Sequence, residues 1–239
     1  MSSERELTLF MAQILDQTDR HQDMVDAMKK VIQLDSNLNS DERNLLSVAY
    51  KNIVGSRRNG IRMVTAIIEH EESRGNTARV EQLKQYKTTI LAELEKYCNE
   101  LIGLVDTQLL PAAKDPESRV FYEKLKADYY RYICESKPDS EKNEPANKAK
   151  QCYENALEIS KNEIPQARPT ALGLILNYSV FLYEIIGQKQ EAIELAQKTY
   201  NECSAIVDDN TDNSYSEATM ILQLLRDNVS LWTQDAEQV

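Results

Sequence analysis

Lys51, Arg58 and Arg62 recur at helical spacing within "LSVAYKNIVGSRRNGIR", a stretch that holds no acid. Asp and Glu are absent from Arg43 to Ile68, while Arg43, Lys51, Arg57, Arg58 and Arg62 are all present. The chain as a whole is acidic, with 39 Asp and Glu against 28 Lys and Arg and a formal net charge of −11. At about 100° per residue, Lys51, Arg58 and Arg62 fall within an arc of roughly 40°. Leu46, Ile53, Ile61, Val64 and Ile68 form an apolar stripe roughly 120° away, so the basic face is not the core face. A merely solvated helix usually interleaves signs. An unbroken positive face predicts an anion ligand, and the net negative charge argues against nucleic acid or an anionic membrane as its source. Gly55 and Gly60 interrupt the same helix, at a propensity cost of about 1 kcal/mol each, which suggests close approach of another helix or chain.

A second group lies in "KADYYRY". Asp128 and Arg131 stand three residues apart, so on a helix they can pair and hold the guanidinium in one rotamer. Tyr132 adds a hydroxyl donor. Arg and Tyr donors together with Lys51 and Arg58 suit a phosphate dianion, which carries about −1.5 to −2 charge and three acceptor oxygens. Tyr129 and Tyr130 read as core. Near the C-terminus, Ala218, Ile221, Leu222, Leu225, Val229 and Trp232 make one apolar stripe, while Leu224, Asn228 and Leu231 make another on a different face. The second stripe needs a helix, a dimer partner or a bound peptide. Asn177, Val180 and Glu184 share one face of the apolar "LNYSVFLYEII", which serves equally for core packing or for holding an extended ligand.

Other chemistry finds little support. The histidines are His21 and His70, and "HEESR" has Arg74 where a metalloprotease motif needs its second His. "DDNTDNSYSEAT" opens like a calcium loop at Asp208, Asn210 and Asp212. It then has Asn213 where Gly is needed and Thr219 where the bidentate Glu belongs, so it reads as a solvated turn. No phosphate loop or dinucleotide glycine fingerprint occurs, and neither metal nor cofactor is expected. Cys98, Cys134, Cys152 and Cys203 lie far apart and read as reduced intracellular thiols. The most apolar stretch, "LGLILNYSVFLYEIIG", looks too short and too polar to span a bilayer. With no apolar signal core in "MSSERELTLF", the expected setting is the cytoplasm, with nuclear access open.

These residues must be positioned by helices. Six Gly and six Pro in 239 residues, with helical periodicity nearly throughout, predict an all-α chain of about nine antiparallel helices. One long helix is expected from an N-cap at Ser40, with Arg43 at the capping-box position, to about Glu72. Others cover 79–105, 117–136, 147–161, 168–186, 189–207 and 214–235. "KPDSEKNEP" is the most linker-like stretch. "AKQCYENALEIS" and "AIELAQKTYNECS" look alike, which suggests helical-hairpin repeats of the tetratricopeptide kind, although no fixed period extends through the chain.

"RNLLSVAYKN", "DYYRY", "LNYSVF" and "LQLLRDN" followed by "LW" resemble the 14-3-3 family, and the likeness covers nearly the whole chain. The resemblance implies one domain over 1–234, cup-shaped and paired as a homodimer, with a short tail at 235–239. It implies an adaptor, not an enzyme, that binds phosphoserine or phosphothreonine segments of partner proteins in an amphipathic groove. By the same likeness Lys51, Arg58, Arg131 and Tyr132 grip the phosphate. Asn177 and Asn228 hydrogen-bond the ligand main chain, and Leu176, Val180, Leu224 and Leu231 form the apolar wall. Glu184 and Trp232 line the same side, and Lys124 and Asp128 match groove positions.

At the implied dimer surface, Arg20 and Glu93 match a cross-dimer ion pair, and Asp23 and Tyr86 also match. The lysine usual opposite Asp23 is Thr89, and the neighbouring aromatic is His21. Loss of one exposed ion pair is worth under about 1 kcal/mol, so a dimer is weakened rather than excluded. Gly60 replaces a serine that some relatives phosphorylate to split the dimer, and Ile61 replaces a Trp. The usual acidic tail is reduced to "TQDAEQV". Two other classes stay open on the residues alone: a repeat scaffold indifferent to phosphorylation, and an enzyme acting on a small phosphorylated molecule.

Overall fold

The computed structural model describes residues 3–208 and 214–237. Among these the chain forms nine helical rods and no strand. The all-α expectation holds. Contacts divide the chain into two compact units, one ending at Ala112 and the other starting at Ala113.

In the first unit α1 (Glu4–Gln17), α2 (His21–Leu34), α3 (Ser40–Ser73) and α4 (Thr77–Leu104) each pack against the next. Leu46, Ile53, Val64 and Ile68 are buried as their periodicity predicts, with Ile61 partly so. The N-cap of α3 differs from the expected one. Asn39, not Ser40, caps the helix: its side chain accepts from the Glu42 N–H at 3.1 Å. Glu42 Oε2 accepts from the Asn39 N–H at 3.0 Å, so the capping box is complete rather than partial. Glu42 is also gripped at both oxygens by Arg5 of α1, at 2.6 and 2.8 Å, which ties the helix start to the first helix. Farther along, Tyr50 donates to Glu100 at 2.6 Å, and Lys29 reaches the same carboxylate at 3.2 Å. One acid of α4 thus joins three helices. α4 runs on through a π turn, Val105–Leu109, into Leu110–Ala112. The widened turn comes just before Pro111, which lacks an N–H and crowds the preceding turn.

The second unit comprises α5 (Pro116–Ser136), α6 (Asn143–Glu163), α7 (Pro169–Phe181), α8 (Lys189–Asp208) and α9 (Ser214–Glu237). Asp115 caps α5, accepting from the Ser118 N–H at 2.8 Å with Pro116 at the first helical position. α6 starts earlier than expected and takes in Pro145, which a helix's first turn tolerates because no intrahelical N–H is needed there. What looked like linker is thus partly helix, with a 3₁₀ turn at Asp139–Glu141 before it. α7 is prolonged by a π turn, Leu182–Ile186, and closed by Gly187 at φ 77°. That left-handed position favours glycine.

The segment Pro169–Ile186 is 18 residues long, with a mean hydropathy of 1.4. By length and composition alone it reaches what a membrane span requires, contrary to the shorter sequence reading. Ala171, Leu172, Leu174, Phe181 and Leu182 instead sit in the unit's core, with Tyr153, Leu225 and Val229. Central position among helices accounts for its apolarity. The four cysteines are buried thiols outside any disulfide, and burial pushes the Cys134 thiol up to about 11. The acidic turn with Asn210, Asp212 and Asn213 lies outside the described residues. The expected tail begins inside α9, which carries helix through 235–237.

Candidate functional site

Among the described residues of the second unit, a buried ionic centre is built around Asp128 on α5. Asp128 is 5% exposed and Arg131 7%. The Asp128 carboxylate accepts from Tyr153 of α6 at 2.6 Å and from Asn177 Nδ2 of α7 at 2.9 and 2.8 Å. Lys124 Nζ stands at 3.2 Å, and Arg131 Nη2 at 3.6 Å. Burial alone would raise the Asp128 carboxyl. The Lys124 and Arg131 cations and the Tyr153 and Asn177 donors outweigh it and hold the group below its ordinary value of 3.8. Arg131 shows the mirror image: burial opposes its charge, and the negative charge of Asp128 keeps it protonated.

Arg131 is held from three sides. Asp128 lies one turn back, Glu135 accepts from Nη1 at 3.3 Å, and the Tyr132 ring lies 4.8 Å from the guanidinium carbon. Its Nε is buried with no hydrogen-bond partner. A fixed, protonated guanidinium with an unused donor is a preorganised anion ligand. The expected Asp128–Arg131 pair is therefore present. Tyr153 and Glu135 belong to the same centre, and nothing in the sequence singles either of them out. Tyr129 is buried as expected, and Tyr130 packs half-buried against the core.

The apolar residues divide as their periodicity predicts. On α9, Ala218, Leu222, Leu225, Val229 and Trp232 are buried, whereas Leu224 is 48% and Leu231 56% exposed. Trp232 faces inward, stacked on Tyr183 with ring centres 4.5 Å apart, so it supports this face rather than lining it. On α7, Leu176, Asn177 and Val180 are half-buried and Glu184 is exposed. Asn228 is half-buried beside the exposed leucines.

In the first unit, Lys51 and Arg62 are exposed on α3 and Arg58 is half-buried. Arg57 differs from them: it pairs with Glu93 of α4 at 3.1 Å and lies 5.3 Å from the Tyr97 ring centre. It is a structural cation. Within the chain, nothing among the described residues closes on the glycines of this helix. A Cβ at Gly55 would meet nothing within 4 Å, and one at Gly60 would meet Ile90 at 3.7 Å, an ordinary contact. Of the other residues assigned to a dimer surface, Arg20, just before α2, pairs with Asp23 of that helix, and Tyr86 is exposed. Leu7, Phe10 and Met11 of α1 and Met63 and Ile67 of α3 are also exposed.

A sequence profile of the 14-3-3 protein family matches residues 11–233. The "14-3-3-like protein GF14 epsilon" of Arabidopsis thaliana is 42% identical over all of this chain and 94% of its own length. "14-3-3 protein 3" of Entamoeba histolytica is 42% identical, over 98% of both chains. "Checkpoint signal transducer rad25" of Schizosaccharomyces pombe is 43% identical over 99% of this chain and 88% of its own. The chain belongs to the 14-3-3 family.

The 14-3-3 fold accounts for the nine helices, and the family's role is that of an adaptor in signal transduction rather than an enzyme. The two look-alike segments fall on α6 and α8, where Cys152 and Cys203 join the same core. Their likeness reflects two amphipathic helices packed on one core, not a repeat array.

Proposed function

We propose that this 14-3-3 chain binds phosphoserine- or phosphothreonine-containing segments of partner proteins. Lys51 and Arg58 of the first unit and Arg131 and Tyr132 of the second are the phosphate ligands. The observation that carries the reading is the Asp128 centre, which holds Arg131 buried, charged and oriented with a donor unused. Asn177 spends its amide N–H on Asp128, which leaves its carbonyl oxygen to accept from a ligand backbone N–H. Lys124, with three donors and one spent on Asp128, can serve a ligand carbonyl. Asn228 supplies a second amide, Glu184 rims the site, and Leu176, Val180, Leu224 and Leu231 take apolar side chains. Two such chains pair as a homodimer through the exposed apolar residues of α1, α3 and α4, together with Arg20, Asp23, Tyr86 and Glu93. Paired sites raise avidity for doubly phosphorylated partners through effective concentration.

The test is titration of matched peptides, phosphorylated and not, against wild type, Arg58→Ala, Arg131→Ala and the double variant. Only the phosphopeptide should bind. Each single variant should weaken it at least about tenfold, since a hydrogen bond to a charged group is worth about 1.5–3 kcal/mol. Two residues gripping one phosphate are coupled, so the double variant should lose less than the product of the singles. Equal binding of both peptides would sink the reading, and strict additivity would place the two arginines on separate groups of the peptide. Leu224→Asp should weaken binding without loss of stability, because Leu224 is already solvent-exposed.

A further inference from the structure

On the second unit a cavity of about 640 Å³ opens between α6, α7 and α8. A neighbouring cavity of about 190 Å³ shares Leu157, Lys161, Ile175, Leu195 and Lys198 with it, so the two form one elongated cleft. We propose that this cleft docks an extended, arginine-bearing segment of a partner protein, apart from the phosphate-binding face. The floor is apolar, from Leu157, Ile175 and Leu195. Glu154 and Glu158 rise from α6, and Glu191 and Glu194 from α8, against only Lys161 and Lys198. Spacings of four and three residues put each acidic pair on one helix face. Glu158 and Glu191 make no ion pair among the described residues.

Tyr178 points to a ligand independently of the acids. It is 8% exposed, lines the cavity, and has no hydrogen-bond partner for its hydroxyl among the described residues. Besides burial, Glu154 and Glu191 oppose its ionisation, so the hydroxyl sits in the field of both carboxylates. A neutral acceptor between acids, above an apolar floor, matches a guanidinium whose stem lies on the floor while its planar fork serves several oxygens. A bare metal ion fits poorly, because no group of three or more His, Cys, Asp or Glu among the described residues is placed to hold one. On α7 and its π-turn extension, Ala171, Ile175 and Tyr178 lie roughly 150° around the helix from Asn177, Val180 and Glu184. The two faces can therefore be occupied together.

Fluorescence anisotropy with a labelled, unphosphorylated Gly-Leu-Arg-Ala-Arg-Leu-Gly peptide and the full chain tests this. Binding should be saturable and at least about tenfold weaker when citrulline, the neutral isostere, replaces arginine. Tyr178→Phe, which keeps the ring and the charge, should weaken it about fivefold, and Glu154→Gln with Glu191→Gln at least about tenfold. Asp139→Asn with Glu144→Gln, two exposed carboxylates outside the cleft, should change nothing. Equal binding of the citrulline peptide, or an equal loss in that control pair, would overturn the proposal as mere attraction to an acidic body. Arginine amide binding as tightly as the peptide would overturn the extended segment. Arg58→Ala should leave this binding intact; a loss there would refute a separate site without touching the phosphopeptide reading.

Discussion

Asp128→Asn isolates the charge that organises the second unit. The substitution keeps shape and removes one negative charge from a carboxylate that is 5% exposed and serves Lys124, Arg131, Tyr153 and Asn177. Breaking one partner out of a buried ion pair costs about 3–5 kcal/mol, because the other charge is left uncompensated. Two features reduce that here. Glu135 still faces Arg131 at 3.3 Å, and Lys124 is partly exposed and can turn to water. One feature adds to it: an amide nitrogen in place of Oδ2 cannot accept, so the Lys124 and Asn177 donors that face that oxygen lose it, at about 1–3 kcal/mol for an orphaned group. The net expectation is a loss of about 3 kcal/mol.

Urea unfolding followed by circular dichroism, at fixed protein concentration and pH 7, reads this as a lower midpoint at unchanged slope. The pH dependence carries the sign. The folded-state value of Asp128 is depressed, so its contribution is full above the ordinary 3.8 and is lost as pH falls below it. The gap between wild type and variant should hold from pH 7 to 5 and close in the acid limb below about 4. A loss under about 1 kcal/mol at pH 7, or a gap that stays constant through the acid limb, would refute the claim that a charged Asp128 holds the centre together.

Asn39→Ala should cost about 1 kcal/mol of stability in the same unfolding assay, because it removes one arm of the capping box while Arg5 still holds Glu42. Ser40→Ala, at the position the sequence favoured, should cost a few tenths at most. For the proposed homodimer, sedimentation at micromolar concentration should give twice the chain mass for wild type and the single chain for Phe10→Glu, whose side chain is already exposed. A monomer for wild type, or an unchanged mass for the variant, would reject that assembly.

Much of this was legible because helices announce themselves by period. The division of α9 into a buried stripe and an exposed one followed from spacing alone, as did the separation of Lys51 and Arg58 from the core face of α3. Arg57 was distinguishable from Arg58 for the same reason, since adjacent helical residues point 100° apart. What stayed hidden depended on contacts distant in sequence. Tyr153 reaches Asp128 across 25 residues, and nothing local to "QCYENA" distinguishes it from an ordinary core tyrosine. Glycine is ambiguous for a related reason: propensity records the cost of Gly55 but not whether anything stands beside it. The cap at Asn39 was missed because Ser40 has equal intrinsic preference, and only the reach of Glu42 decides between them.

On the proposed function, the centre would let an acidic chain offer phosphate a cation without becoming generally basic. Around Arg131 the charges of Lys124 and Arg131 are balanced by those of Asp128 and Glu135, so this cluster projects little net field. Its value to a ligand is short-range: a guanidinium already desolvated, fixed against the Tyr132 ring and carrying an unused N–H loses little entropy on binding. On the proposed function, Lys51, Arg58 and Arg62, on a helix stretch without acids, would supply the field that a dianion senses at longer range. On the proposed reading, attraction and geometry are thus assigned to different residues. Arg62 then tunes the rate of capture and its salt dependence, while Arg131 sets the strength of the bound state. Lysine at 131 would preserve the charge and lose the planar fork, which makes Arg131 the position where the conservative exchange is least conservative.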